Sequence, residues 1–100
     1  MRFGLKDELV QGIIEAIAGY RAVEKAIIFG SRARGDYAYN SDIDIAIYSD
    51  SDTEPGLALD IDDAAGIYKT NIVYMNRSIS ENLRKEIERE GIEIYRRSDG

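Results

Sequence analysis

The sequence predicts a single α/β domain of the α+β kind, a small mixed β-sheet flanked by helices. Three observations predict it. Segments with helical and strand periodicity alternate along the chain; some stretches between strands are too short for a crossover helix; and no repeat, low-complexity tract or long linker divides the 100 residues. The whole span, residues 1–100, therefore reads as one domain. A chain of this size hides roughly 60–68% of its unfolded surface. That is enough for one core with little to spare, so a partner chain would add to its stability.

Each element has its own justification. Leu9, Ile13, Ala16, Ile17 and Tyr20 recur at helical spacing with Asp7, Glu8, Gln11 and Glu15 between them, predicting a helix from about Lys6 to Ala18 that stops at Gly19. After Val23, the short β-branched run Ala26-Ile27-Ile28-Phe29 reads as a buried strand ended by Gly30. Gly30 to Gly35, GSRARG, has room for a turn or a turn and a half of helix, and a loop follows through Asn40. From Ser41 to Tyr48 the chain alternates strictly, with Ile43, Ile45 and Ile47 on one face and Asp42, Asp44, Ala46 and Tyr48 on the other, a second strand. Ser49 to Gly56, with the sole proline at Pro55, reads as a loop; Leu57, Ala58, Ile61, Ala64 and Ala65 predict a short helix ended by Gly66. Lys69 to Met75 alternates again, with Ile72 and Tyr74 opposite Asn71 and Val73. Ser78 and Glu81 match a capping box for a helix carrying Ile79, Leu83 and Ile87 and closed by Gly91. Ile92, Ile94 and Tyr95 predict a last strand, with Arg96 and Arg97 in a frayed polar tail.

Composition narrows the chemistry. With neither Cys nor His, the chain has no disulfide, no zinc site of the usual ligands and no Ser-His or Cys-His nucleophile, so a metal must rest on oxygen ligands. No stretch approaches the ~20 apolar residues of a membrane span and the first residues do not read as a signal peptide, which points to a soluble, cytoplasmic protein without a membrane partner. Net charge is −6, and between Asp36 and Tyr68 there is no Lys or Arg at all, only acids. Direct binding of duplex nucleic acid, which needs clustered cations, is not expected. The acidic stretch fits either a solvated face or a cation site.

The informative segment is Gly30 to Ile47. Gly30 follows a strand and lacks a Cβ, so a phosphate could approach the backbone; Ser31 offers a hydroxyl and opens a helical turn whose N–H groups attract anions. Asp42 and Asp44, two apart on a strand, project from one face and can share divalent cations. Taken singly, a Gly-Ser corner is also an ordinary turn, and an Asp-x-Asp pair also suits a wet sheet edge. Their joint spacing is the signal.

GSRARGDYAYNSDIDIAI, Gly30 to Ile47, resembles the nucleotidyltransferase signature of the DNA polymerase β superfamily, GS-x-A-R-G followed by S-D-x-D, carried here by Gly30, Ser31, Ala33, Arg34, Gly35, Ser41, Asp42 and Asp44. It is most similar to the minimal nucleotidyltransferases, antitoxins encoded beside HEPN-type toxins, and the resemblance extends more loosely over most of the chain. It implies the nucleotidyltransferase fold and a site that binds a nucleoside triphosphate, usually ATP, with Gly30, Ser31, Arg34 and Ser41 as nucleotide-binding residues. It further implies Asp42 and Asp44 on a two-ion Mg²⁺ site, transfer of AMP to a hydroxyl of the partner toxin, and a hetero-oligomer with that toxin.

One position departs from the pattern. The third carboxylate of the family belongs on the next strand, where this chain reads Lys69-Thr70-Asn71-Ile72-Val73, so the third catalytic position is Asn71. An amide oxygen can still ligate Mg²⁺ but adds no charge and is no base near neutral pH. Three accounts are open: Asp62 or Asp63 enters the site instead, the enzyme works slowly with two carboxylates and a water, or the chain is a lapsed enzyme or nucleotide-binding module acting by complex formation only. Arg34 is open to a phosphate, the partner, or pairing with Asp36 or Asp42; Arg32 is expected to be exposed, and Tyr37 or Tyr39 could stack on a base.

Overall fold

The computed structural model describes residues 1–51 and 54–98. Asp52 and Thr53 of the expected loop and the last two residues of the expected tail lie outside the described residues. Eight elements follow in the expected order: α1 (Asp7–Ala18), β1 (Val23–Phe29), α2 (Ser31–Arg34), β2 (Ile43–Ser49), α3 (Leu57–Ala65), β3 (Thr70–Tyr74), α4 (Glu81–Glu90) and β4 (Ile92–Arg96). The strands form one sheet in the order β3-β2-β1-β4. β1 runs antiparallel to β2 and β4, whereas β2 and β3 are parallel and joined through α3, so the sheet is mixed.

Alternation along the strands decides what each face buries. Ile43, Ile45 and Ile47 of β2 join Val23, Ala26 and Ile28 of β1 on the face covered by α1 (Val10, Ile13, Ile17) and α3 (Leu57, Ile61, Ala65). The opposite face carries Phe29, Ala46 and Met75 under Ile87 of α4, with Leu83 and Ile79 packed at the margin. A fully buried Ile is worth roughly 1.5–3 kcal/mol. With one such residue, Ile87, α4 is held far more thinly than α1 or α3.

The structure moves three boundaries. α4 is capped by Ser80, whose hydroxyl accepts from the Leu83 N–H at 3.1 Å, so Glu81 is the first helical residue and the Ser78–Glu81 capping box does not form. β2 begins at Ile43 instead of Ser41, because Ser41 bonds back to the Ala38 carbonyl and gives its own carbonyl to Arg32. The expected fraying at the end is absent through Arg97: Arg96 closes β4, and Arg97 donates from its backbone to Glu24 and from its side chain to Asp50.

Candidate functional site

Three strands bring the expected residues into one row. Phe29, the last residue of β1, pairs with Asp44 of β2, and Asp44 pairs in turn with Asn71 of β3. Gly30 follows with φ 77° and ψ −154°, a conformation essentially reserved for glycine, and a Cβ built there would overlap the Asp44 carboxylate. The glycine corner and Asp44 therefore face each other in direct contact. Ser31, half-buried, opens α2 at the same corner.

Asn71 sits between the two acids. Its Nδ2 donates to Asp42 Oδ2 at 3.0 Å and to Asp44 Oδ1 at 2.9 Å, so both half-buried carboxylates converge on one exposed amide. Asp42 reaches this point from just outside the strand, not within it as the alternation suggested. Two like charges on a partly buried sheet repel and lose hydration. The positive end of the Asn71 dipole offsets them where a cation would otherwise be needed.

The donor set fits Mg²⁺: hard oxygens from two carboxylates aimed at a common point, with Asn71 able to present Oδ1 once its amide is turned over. Among the described residues no group of three acids, His or Cys is assembled for a metal, as the amide in third place requires. Asp62 and Asp63 do not fill that place; both are exposed on α3, which covers the opposite face of the sheet, and Asp62 accepts from Thr70 Oγ1.

The other expected site residues make contacts of their own. Arg34 donates to Asp36 at 3.2 Å and to Glu90, at the end of α4, at 3.1 Å, and not to Asp42. These hydrogen bonds raise its pKa, and the bond from Arg34 is the main cause of the lowered pKa of Glu90. The Ser41 hydroxyl accepts from the Ala38 N–H at 2.8 Å, closing the loop that leads to Asp42. Tyr39 is 87% exposed on that loop and, with Asn40, Ile67, Tyr68 and Lys69, lines a groove of about 210 Å³. A broader hollow of about 600 Å³, lined by Arg2, Asp7, Glu8, Gln11 and Glu15, lies along α1, away from the acidic pair.

Arg32 corrects the sequence reading. It is 2% exposed, the one buried charged residue among those described. Its guanidinium lies between the rings of Tyr37 and Tyr68, 5.2 and 5.0 Å from their centroids, and donates to the carbonyls of Ser41, Tyr39 and Phe3. Carbonyl dipoles and aromatic faces replace the water it gives up, so no acid is needed beside it. Nothing in residue type marked this position. The only hint was the density of tyrosine around it.

A family model for polymerase β nucleotidyltransferases matches residues 11–100. Several solved structures share the fold. A toxin–antitoxin complex with AMP-PNP aligns with a TM-score of 0.74 at 24% identity, covering 88% of this chain and 73% of that one. A tri-AMPylated HEPN toxin from Shewanella oneidensis in complex with its MNT antitoxin aligns with a TM-score of 0.67 at 20% identity, covering 89% and 71%. A MntA–HepT toxin–antitoxin complex gives 0.69 at 21% identity, covering 92% and 74%. A comparison with curated protein sequences gives no match.

Proposed function

Because the chain belongs to the polymerase β nucleotidyltransferase family, we propose that it is a Mg²⁺-dependent nucleotidyltransferase that moves AMP from ATP to a hydroxyl of a HEPN-type toxin and thereby acts as its cytoplasmic antitoxin. The observation that carries this reading is the contact of the Gly30 corner with Asp44, and the convergence of Asp42 and Asp44 on one point. One structure that shares the fold is a complex of an MNT antitoxin with a tri-AMPylated HEPN toxin, and that toxin is the basis for the choice of acceptor.

In this proposal Gly30 and Ser31 receive the phosphates, and Ser41 and Arg34 complete the nucleotide site, Arg34 by exchanging Asp36 or Glu90 for a phosphate oxygen. Asp42 and Asp44 would hold the metal with the Asn71 amide oxygen beside them. When bound, Mg²⁺ supplies charge neutralisation at the α-phosphate and the leaving pyrophosphate. The toxin hydroxyl oxygen forms the new bond to the α-phosphorus, the bond to pyrophosphate breaks, and the hydroxyl proton leaves to water or to one of the two carboxylates, since Asn71 cannot accept it. In the same proposal Tyr39, exposed on the loop and lining the groove, stacks on the base.

Asn71 itself favours a second reading, in which the chain binds nucleotide and toxin but does not transfer. One experiment separates the two. The chain is incubated with its partner toxin and ATP labelled at the α-phosphate; label on the toxin, lost in Asp42→Ala while the complex still forms, supports the enzyme. A stable complex without label supports the binding module.

A further inference from the structure

Asp42 and Asp44 are held in different ways. Asp44 lies inside β2 and is fixed by ladder partners on both sides, Phe29 and Asn71. Asp42 precedes the strand, and its backbone is fixed only through its neighbours. On one side the Ile43 N–H donates to the Lys69 carbonyl at 2.8 Å. On the other, the Ser41 carbonyl accepts from Arg32 twice, at 3.1 Å from Nε and 2.8 Å from Nη2.

Arg32 is also the residue after Ser31, on the turn of helix that starts at the glycine corner. The same guanidinium bonds Tyr39 at 3.3 Å and Phe3 at 2.9 Å, so one side chain ties α2, the 37–41 loop and the N-terminal segment together. Phe3 is the only described non-glycine residue with positive φ, 58°, and its carbonyl is aimed at Arg32.

The geometry points to Arg32 as a positioning residue: by gripping the Ser41 carbonyl from α2, it sets where Asp42 stands relative to the Gly30–Ser31 corner and to Asn71. Its bearing on the reaction rests on the nucleotidyltransferase reading, whereas its hold on Asp42 does not. A guanidinium is suited to the task because its planar fork bonds several carbonyls at fixed angles, which an ammonium cannot do. The consequence is asymmetric: loss of the fork loosens Asp42, whose neighbours keep the Ile43–Lys69 and Ser41–Ala38 bonds, and leaves Asp44 in place.

Asn71 reports the asymmetry, because its side-chain Nδ2 donates to both acids and an NH₂ has two hydrogens, one for each acceptor. Nuclear magnetic resonance of these two protons is followed in the wild-type chain, in Arg32→Lys, and in Ile61→Val, a core substitution that lowers stability without touching the loop. In Arg32→Lys the proton facing Asp42 should shift and exchange faster while its twin holds, and Ile61→Val should move neither. Tyr37→Leu, which removes one ring wall and keeps the hydrogen bonds, should give a smaller shift of the same proton and serves if Arg32→Lys does not fold. Unmoved Asn71 protons in a folded Arg32→Lys, or equal movement of both, would overturn the assignment.

A second arm titrates Mg²⁺ in the presence of ATP, where Arg32→Lys should bind the metal about tenfold more weakly, as loss of an outer support typically does. A wild-type chain that binds neither Mg²⁺ nor ATP counts against the proposed function, and the proton shifts still decide the role of Arg32.

Discussion

Replacing Gly30 by alanine tests the contact on which the site is built. The backbone at φ 77°, ψ −154° costs a residue with a Cβ roughly 1–3 kcal/mol. The new methyl also displaces the Asp44 carboxylate, putting at risk its 2.9 Å hydrogen bond from Asn71, a charge-assisted bond worth at most roughly 1.5–3 kcal/mol and less here because Asn71 is exposed. A total loss of about 2–4 kcal/mol is expected, a large fraction of the roughly 5–15 kcal/mol that holds an ordinary domain. At about 4–8 °C per kcal/mol for a chain of this size, the melting temperature should fall by some 10–25 °C. Thermal unfolding followed by circular dichroism reads it. The two parts separate in a double-mutant cycle with Asp44→Ala: once the carboxylate is gone, Gly30→Ala should cost only the backbone part. Equal costs in both backgrounds, or a loss below about 0.5 kcal/mol, would show that the corner and the carboxylate are not in contact.

Asn71→Asp restores a third acid; without metal its melting temperature should fall by a few degrees, Mg²⁺ should recover more than is lost, and AMP transfer should quicken, whereas an unchanged response to Mg²⁺ would place residue 71 outside the metal site. Ile87→Ala removes the only fully buried side chain of α4 and should cost about 2–5 kcal/mol in chemical denaturation; a cost under about 1 kcal/mol would mean that α4 packs elsewhere. Tyr20 donates to Asp60, and chiefly through that bond its hydroxyl is pushed from the ordinary 10.0 up to about 12. The folded state thus favours the neutral phenol, so this contribution is whole below about pH 10 and lost as pH rises through about 12. Tyr20→Phe should remove a step near pH 12 from the phenolate titration and flatten the alkaline fall in stability; an unchanged titration curve would refute the pairing.

The order of elements was legible because local signals agreed with tertiary demand. β2 alternates with Ile43, Ile45 and Ile47 inward, and the two-residue period of a strand leaves one register in which those side chains are buried. The acidic pair was legible for the same reason. Asn71 was assigned to the third position through the resemblance of Lys69 to Val73 to the family's next strand, yet its pairing with Asp44 and its bond to both acids were not readable, since they depend on the parallel register of β2 and β3. The helix cap went to Ser80, whose hydroxyl takes the Leu83 N–H, although only Ser78 has a Glu three residues on, because packing of Leu83 and Ile87 chooses the turn. Arg32 was misread for a deeper reason. Exposure is the rule for arginine, and its exception here arises from carbonyls and rings supplied by residues 3, 37, 39, 41 and 68, which only the folded chain assembles.

The amide at position 71 acts in opposite directions on the resting and the reacting site. At rest, its NH₂ lies between the oxygens of Asp42 and Asp44, and the bonds it donates offset a repulsion that a third carboxylate would deepen. In the proposed transfer, the same amide would have to present Oδ1 to a metal, would bring no charge to hold it, and could not accept the hydroxyl proton. Each of these would slow the reaction relative to a carboxylate. Stability without metal and rate of transfer should consequently move in opposite directions in Asn71→Asp, the first down and the second up. Asn71→Ala supplies the control, because it removes the bridging bonds without adding charge or a base: it should lose stability without gaining rate. If Asn71→Ala and Asn71→Asp both melt like the wild type, the amide is not what balances the acidic pair.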